Sequence, residues 1–199
     1  LDWADIRLRA ERGVGISEQE AIAICALRDP AELEKLFTLA GGVRKEWKGD
    51  FVNTCGITNA RSGRCPEKCN FSSQSAHFKT AAPRYTTKDA DTIVAEAQAA
   101  FEGGVREFSI VMSGRAITAR GDLDVLKDAF GRIRAETGLQ TCASLGLMSK
   151  EHLEELRDAG MQSMHHNLET ARSFHPNIVE SHTYDDEVET DRKSTRLNS

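Results

Sequence analysis

The sequence predicts an α/β fold: about four strand–helix repeats, preceded by N-terminal helices. Three observations carry this. From residue 51 onward, short apolar runs alternate with amphipathic stretches of helical length. Each helical stretch is closed by glycine, at Gly103-Gly104, Gly138 and Gly160. Strand–helix repeats in succession pair in parallel through right-handed crossovers. Such a chain is either a small open sheet or the first part of a TIM-type (βα) barrel, which takes roughly 250 residues when complete.

Two helices are expected before the repeats. Ser17 and Glu20 form a capping-box pattern ahead of the apolar stretch Ala21 to Leu27. Asp29-Pro30 supplies an N-cap and first helical position for a second helix through about Leu39, stopped at Gly41-Gly42. The organisation is then residues 1–50 as an N-terminal helical segment, 51–190 as the repeat domain, and 191–199 as a tail.

Within the repeats, Phe51–Ile57 reads as a strand, followed by a polar loop to Thr86 and a helix from Thr87 to Glu102. Val105–Met112, Leu139–Leu145 and Met161–Asn167 read as the next three strands. Leu123–Glu136 and a helix capped by Ser149 separate them, and Tyr184 begins another helix. The stretch Arg192–Ser199 breaks that helical pattern and reads as translated adapter or vector sequence, so the native frame is expected to continue past about Thr190.

Composition narrows the function classes. A net charge of −5 argues against a general nucleic-acid binder, and no apolar run approaches the roughly 20 residues of a membrane span. Five cysteines and no secretory signal point to a reducing cytoplasm rather than a disulfide framework. Cys25, in an apolar stretch, is expected to be core, and Cys55 a buried strand cysteine.

Cys65 and Cys69 open the loop Cys65-Pro-Glu-Lys-Cys69-Asn-Phe71-Ser72. Thiolates crowded into a loop are suited to soft-metal ligation, above all of a cubane iron–sulfur cluster. A structural zinc site built on Cys65 and Cys69, with Cys55 and a histidine, is the non-catalytic alternative. His165 and His166 are adjacent on a strand and point to opposite faces, so they do not share one ion. His77, His152, His175 and His182 show no spacing that connects them to chemistry.

The ordered set of segments resembles one family. Asn53–Gly63, the cysteine loop, Ser73-Gln74-Ser75-Ala76, Ile110–Arg115, Cys142–Gly146, His166–Thr170 and Ser181–Asp186 are similar to biotin synthases, which are radical S-adenosylmethionine (SAM) enzymes, over nearly all of residues 1–190. The resemblance implies a partial TIM-type barrel from the N-terminal part of a longer chain. It implies a [4Fe-4S] cluster held by three cysteines, its open iron chelating SAM for reductive cleavage to a 5′-deoxyadenosyl radical. It also implies an auxiliary iron–sulfur cluster, of [2Fe-2S] type, as the source of inserted sulfur. The expected activity is sulfur insertion into dethiobiotin to form biotin, with a flavodoxin- or ferredoxin-type electron donor and a homodimer when full length.

Carried over residue by residue, Cys65 and Cys69 are cluster ligands, and the third cysteine falls at position 72, where this chain has Ser72. Cys142 matches an auxiliary-cluster ligand, and a second falls at position 109, where Ser109 stands. Phe71 matches the aromatic beside the adenine. Asn167 and Glu169 match the pair that meets the SAM ribose, and Asn167 also lies near the substrate's ureido ring. A serine hydroxyl is a poor substitute for a thiolate on iron, so weak or absent cluster assembly is expected, with ligation by Cys55 in place of Ser72 as the alternative to its buried-strand reading. The alternative within the superfamily is a biotin-synthase-like enzyme with another substrate; Ser73–Ala76 and Cys142 favour biotin synthase.

Overall fold

Asp2, Ser17 and Asp29 each accept hydrogen bonds from backbone N–H groups that a helix start leaves unpaired. They open α1 (Trp3–Glu11), α2 (Glu18–Cys25) and α3 (Pro30–Lys48) in the computed structural model, which describes residues 1–195. The capping box of Ser17 and Glu20 is formed in full. Three helices therefore stand where two were expected. Trp3 Nε1 donates to Glu32 at 2.8 Å and Trp47 Nε1 to the Ala10 carbonyl at 3.1 Å, pinning α1 to α3.

Gly41-Gly42 does not stop α3, which continues to Lys48 and is capped by Gly49. A glycine weakens a helix interior by about 1 kcal/mol relative to alanine without ending it when good helix formers flank it. Both glycines are exposed and a Cβ there would touch nothing within 4 Å. Gly41→Ala and Gly42→Ala are each expected to stabilise this unit by about 0.5–1 kcal/mol, readable as slower amide hydrogen exchange along α3. Cys25, expected in a core, is exposed, because α2 buries none of its residues.

Residues 1–52 form one compact unit, and the chain from Asn53 forms a second. The second unit runs β1 (Cys55–Arg61), α4 (Ala90–Glu102), β2 (Glu107–Met112), α5 (Arg120–Thr137), β3 (Gln140–Ser144), α6 (Lys150–Ala159), β4 (Ser163–Met164) and α7 (Tyr184–Thr195), with a 3₁₀ turn at His175–Asn177. Its sheet is parallel in the order β1-β2-β3-β4, as three consecutive crossovers require. This is the α/β arrangement of a partial (βα) barrel.

Boundaries differ most in β1 and β4. β1 begins at Cys55 rather than Phe51, and β4 is two residues long rather than seven. α7 also continues through Thr195, so no break occurs at Arg192. Residues 196–199, the last part of the expected tail, lie outside the described residues. Among the described residues no helix is long and apolar enough to cross a membrane.

Alternation along the strands divides the sheet into two faces. Phe108, Ile110 and Met112 of β2 face the helices and are 0–4% exposed. They pack with Ile93 and Ala97 of α4, Leu126, Phe130 and Ile133 of α5, and Leu153 and Leu156 of α6. Each such side chain contributes roughly 1.5–3 kcal/mol on burial. Glu107 and Ser109 point the other way. The register aligns Cys55 with Glu107, and Ser109 with Cys142, so these four residues share the face away from the helices.

Candidate functional site

The loops that follow the strands converge at the carboxyl ends of β1–β4, where parallel α/β folds place their sites. Arg61, the last residue of β1, ties two of these loops together. Its Nε donates to the Ser113 carbonyl at 2.7 Å and its Nη1 to Asp122 at 2.8 Å. Ser113 in turn donates to the Gly63 carbonyl at 2.9 Å.

The loop after β1 carries Cys65, Cys69 and Ser72. Short backbone bonds hold it in place. Cys65 N donates to Gln74 O at 3.1 Å and Ala76 N to Cys65 O at 2.8 Å. Asn70 N donates to Ile178 O at 2.9 Å and Glu180 N to Lys68 O at 3.2 Å, zipping the loop to the segment before α7. Gln74 Oε1 accepts from Gly63 N at 2.5 Å and from the Ser62 hydroxyl at 3.0 Å, closing the base of the loop.

Cys65, Cys69 and Ser72 line one cavity of about 280 Å³, and Phe71, Asn167 and Glu169 line it with them. The cysteine loop and the end of β4, about a hundred residues apart in sequence, therefore face a common space. Glu169 holds a left-handed backbone, φ 61. For a non-glycine residue that conformation costs of order 1 kcal/mol and is found where a site needs it.

The three loop positions share one cavity wall, yet the donors are two thiols and one alcohol. Ser72 Oγ accepts a 3.3 Å hydrogen bond from Gln74 N. Burial pushes the Cys69 thiol up to about 11, helped by Cys65 and by the carboxylates of Glu67, Glu169 and Glu187. Such a thiol stays protonated until a cation displaces its proton. A cubane anchored on three thiolates fits this loop by position and fails to fit it by donor set.

Behind the loop lies a buried polar chain that sequence reading missed. His182 Nδ1 lies 2.5 Å from Glu67 Oε2, and its Nε2 lies 2.5 Å from Glu187 Oε1. His166 Nε2 lies 2.6 Å from Glu187 Oε2. Ser181 Oγ donates to Glu67 at 2.6 Å, and Arg115 donates to the Ser181 carbonyl at 2.9 Å. Glu187 and Glu67, bonded to the two ring nitrogens, hold His182 above its usual range despite burial. Burial opposes ionisation of Glu187, but His166 and His182 overcome it and hold the carboxyl down at about 2. No fixed spacing announces this chain, because Glu67 and His182 are 115 residues apart.

A second grouping lies on the sheet face itself. Ligand atoms of Cys55, Glu107 and Cys142 fall within 4.8 Å of one another, and the Ser109 hydroxyl beside them is buried without a partner. Cys55 is exposed, not the buried strand cysteine expected. It stands at the opposite end of β1 from the loop, so its thiol meets Cys142 and not Ser72. Cys142 is fully buried, and burial, with Glu107 bonded to it, pushes its thiol up to about 12. In metal-free protein at pH 8, Cys142 is expected to resist iodoacetamide while exposed Cys25 reacts readily. Mass spectrometry of the modified peptides checks this, and comparable labelling of the two would contradict the packing.

Comparison with known proteins agrees with this geometry. The model of the radical SAM superfamily matches residues 60–195. The biotin synthase of Anaeromyxobacter sp. (strain Fw109-5) is 46% identical over 184 residues, 92% of this chain and 50% of that protein. That of Anaeromyxobacter dehalogenans (strain 2CP-C) is 48% identical over 183 residues, 92% of this chain and 51% of that protein. The chain thus spans about half the length of the curated relatives it matches. Among solved structures, methylornithine synthase (PylB) superposes with a TM-score of 0.81 at 18% identity, covering 96% of this chain and 56% of that one. HydG, a maturase of the [FeFe]-hydrogenase, gives 0.78 at 15% identity, covering 98% and 44%. At these identities the likeness is one of fold.

Proposed function

This chain belongs to the radical SAM superfamily, and from that premise we propose that it is the SAM-binding part of a biotin-synthase-type enzyme, acting in sulfur insertion into dethiobiotin. One observation carries the reading: the cysteine loop after β1 and the Asn167–Glu169 segment after β4 line the same cavity.

The roles follow from the donor chemistry of each side chain. A Glu169 carboxylate accepts from both ribose hydroxyls of SAM, and the left-handed backbone presents it to the cavity. The Asn167 amide both donates and accepts, which suits a ribose on one side and a ureido ring on the other. Phe71 offers an aromatic face for the adenine. Cys142, with Cys55 and Glu107 beside it, supplies soft donors on the sheet face where an auxiliary sulfur-bearing cluster would sit. Because the cysteine loop lacks its third thiol, no radical step is assigned to the chain carrying Ser72. An electron donor of flavodoxin or ferredoxin type and a homodimeric full-length enzyme belong to the same proposal.

Isothermal titration with SAM tests the binding half. Glu169→Gln and Asn167→Ala are each expected to weaken SAM about tenfold or more, the effect of losing a hydrogen bond to a charged or closely held group. Unchanged affinity in both variants would remove the assignment. For the substrate, the measurement is dethiobiotin-dependent SAM cleavage in the longer enzyme carrying Ser72→Cys. Cleavage indifferent to dethiobiotin would move the chain to another substrate within the superfamily.

A further inference from the structure

Two imidazoles and one carboxylate come together where His182 and Glu187 line the cavity, and none belongs to the cysteine loop or to the SAM pair. Ligand atoms of His175, His182 and Glu187 lie within 4.8 Å of one another. His166 stands outside this grouping, with Nε2 2.6 Å from the second oxygen of Glu187 and off the hydrogen-bonding direction. His175 is 1% exposed, and its Nε2 is buried with no hydrogen-bond partner. A buried imidazole nitrogen left unpaired costs of order 1–3 kcal/mol, and here it stands beside a carboxylate and two further rings.

The outer contacts are those of a metal-ligating histidine. Glu67 Oε2 takes the Nδ1 side of His182 at 2.5 Å, which directs Nε2 toward Glu187. Carboxylate–histidine–metal chains use this arrangement to fix the tautomer and ring plane of a ligand. Glu67 is itself held by the Ser181 hydroxyl at 2.6 Å and approached by Arg115 at 3.5 Å. The His175 ring packs edge-on against His182 and Tyr184, with centroids 5.6 and 5.7 Å apart. These contacts fix the rings, while His182 Nε2 and Glu187 Oε1, 2.5 Å apart, must part to about 3 Å to share an ion.

We propose that His175, His182 and Glu187 form a second metal site, separate from the cysteine loop, for one divalent first-row transition-metal ion. Imidazole with carboxylate is the donor set that Zn²⁺, Fe²⁺ and Mn²⁺ share, and two histidines with one carboxylate leave a coordination position open. Without the ion, a proton on His182 fills the gap between imidazole and carboxylate. Binding exchanges that proton for the metal and leaves Nδ1–H donating to Glu67. The site does not depend on Ser72 or on the function proposed above. Placed against the cavity, it would put a Lewis acid beside the space that Asn167 and Glu169 line.

Co²⁺ alone is the probe. Cys55→Ser, Cys65→Ser, Cys69→Ser and Cys142→Ala in one full-length chain remove the clustered thiols, and this variant is titrated with Co²⁺. About one Co²⁺ per chain is expected, with ligand-field bands and no sulfur-to-cobalt charge transfer. Adding Glu187→Gln is expected to abolish the bands, and adding Glu67→Gln to weaken binding about 10–100-fold. Folding of each variant is followed by far-ultraviolet circular dichroism. In the unsubstituted chain, paramagnetically shifted imidazole N–H resonances give a reading that needs no variant. Absence of those resonances, no Co²⁺ uptake by the variant lacking the four clustered thiols, or uptake indifferent to Glu187→Gln would each overturn the proposal and leave an ion-pair network only.

Discussion

Ser72→Cys is expected to turn a chain that retains little iron into one that holds about four irons and four sulfides after anaerobic reconstitution. The reason is local. Cys65, Cys69 and Ser72 already line one cavity, and the loop is zipped in place by backbone bonds at Gln74, Ile178 and Lys68. The substitution therefore changes a donor without having to move a loop. A hydroxyl is harder and far less acidic than a thiol, so Ser72 gives up its proton to iron poorly. Cys69, raised to about 11 by burial and its neighbours, already requires a cation to ionise, and two thiolates chelate a cubane less well than three. Ser72→Ala is the control. It removes the 3.3 Å bond to Gln74 N and should load no better than the parent chain. If the Cys and Ala variants load equally, the loop is not a cluster loop. The change of the reduced cluster's electron paramagnetic resonance spectrum on adding SAM then separates a productive cluster from loosely bound iron.

Much of the architecture was legible because it rests on local chemistry. Ser17, Asp29 and Ser149 cap helices where their side chains can reach an unpaired N–H, and Gly103, Gly138 and Gly160 end helices where they stand. Where local rules compete, the reading slipped. Gly41-Gly42 resembles a stop, but the helix formers on either side carry α3 across it. Phe51 and Val52 resemble a strand opening, but the ladder starts at Cys55, where Glu107 is opposite. That shift matters for chemistry. With β1 beginning at Cys55, side-chain alternation and register set Cys55 on the same face as Glu107 and Cys142, a juxtaposition that spacing in sequence does not display. The Glu67–His182–Glu187–His166 chain was less legible still. It joins the cysteine loop, the end of β4 and the start of α7, and its members become neighbours only when the loops after β1 and β4 close over one end of the sheet.

Gly146→Ala is expected to destabilise the second unit by about 3 kcal/mol or more, the sum of forced overpacking and a left-handed residue acquiring a side chain. Gly146 follows β3 with φ 76, and a Cβ there would lie 2.2 Å from the Arg115 carbonyl oxygen and 3.0 Å from that of Gly114. Neither neighbour is a side chain able to swing aside. The Arg115 carbonyl also accepts from Leu147 N at 2.7 Å, so the two loops cannot separate without losing that bond. Movement of Arg115 would then reach the site directly, since its guanidinium holds the Ser181 carbonyl at 2.9 Å and approaches Glu67 at 3.5 Å. Thermal unfolding and SAM titration should therefore fail together in this variant. Gly121→Ala provides the contrast: Gly121 lies exposed in the first turn of α5, with open space around its Cβ position, and alanine there should stabilise by about 0.5–1 kcal/mol. A Gly146→Ala protein as stable as its parent, with SAM affinity intact, would mean that the loops after β2 and β3 are not packed as described. The coupling between sheet end and cavity would then be lost with them.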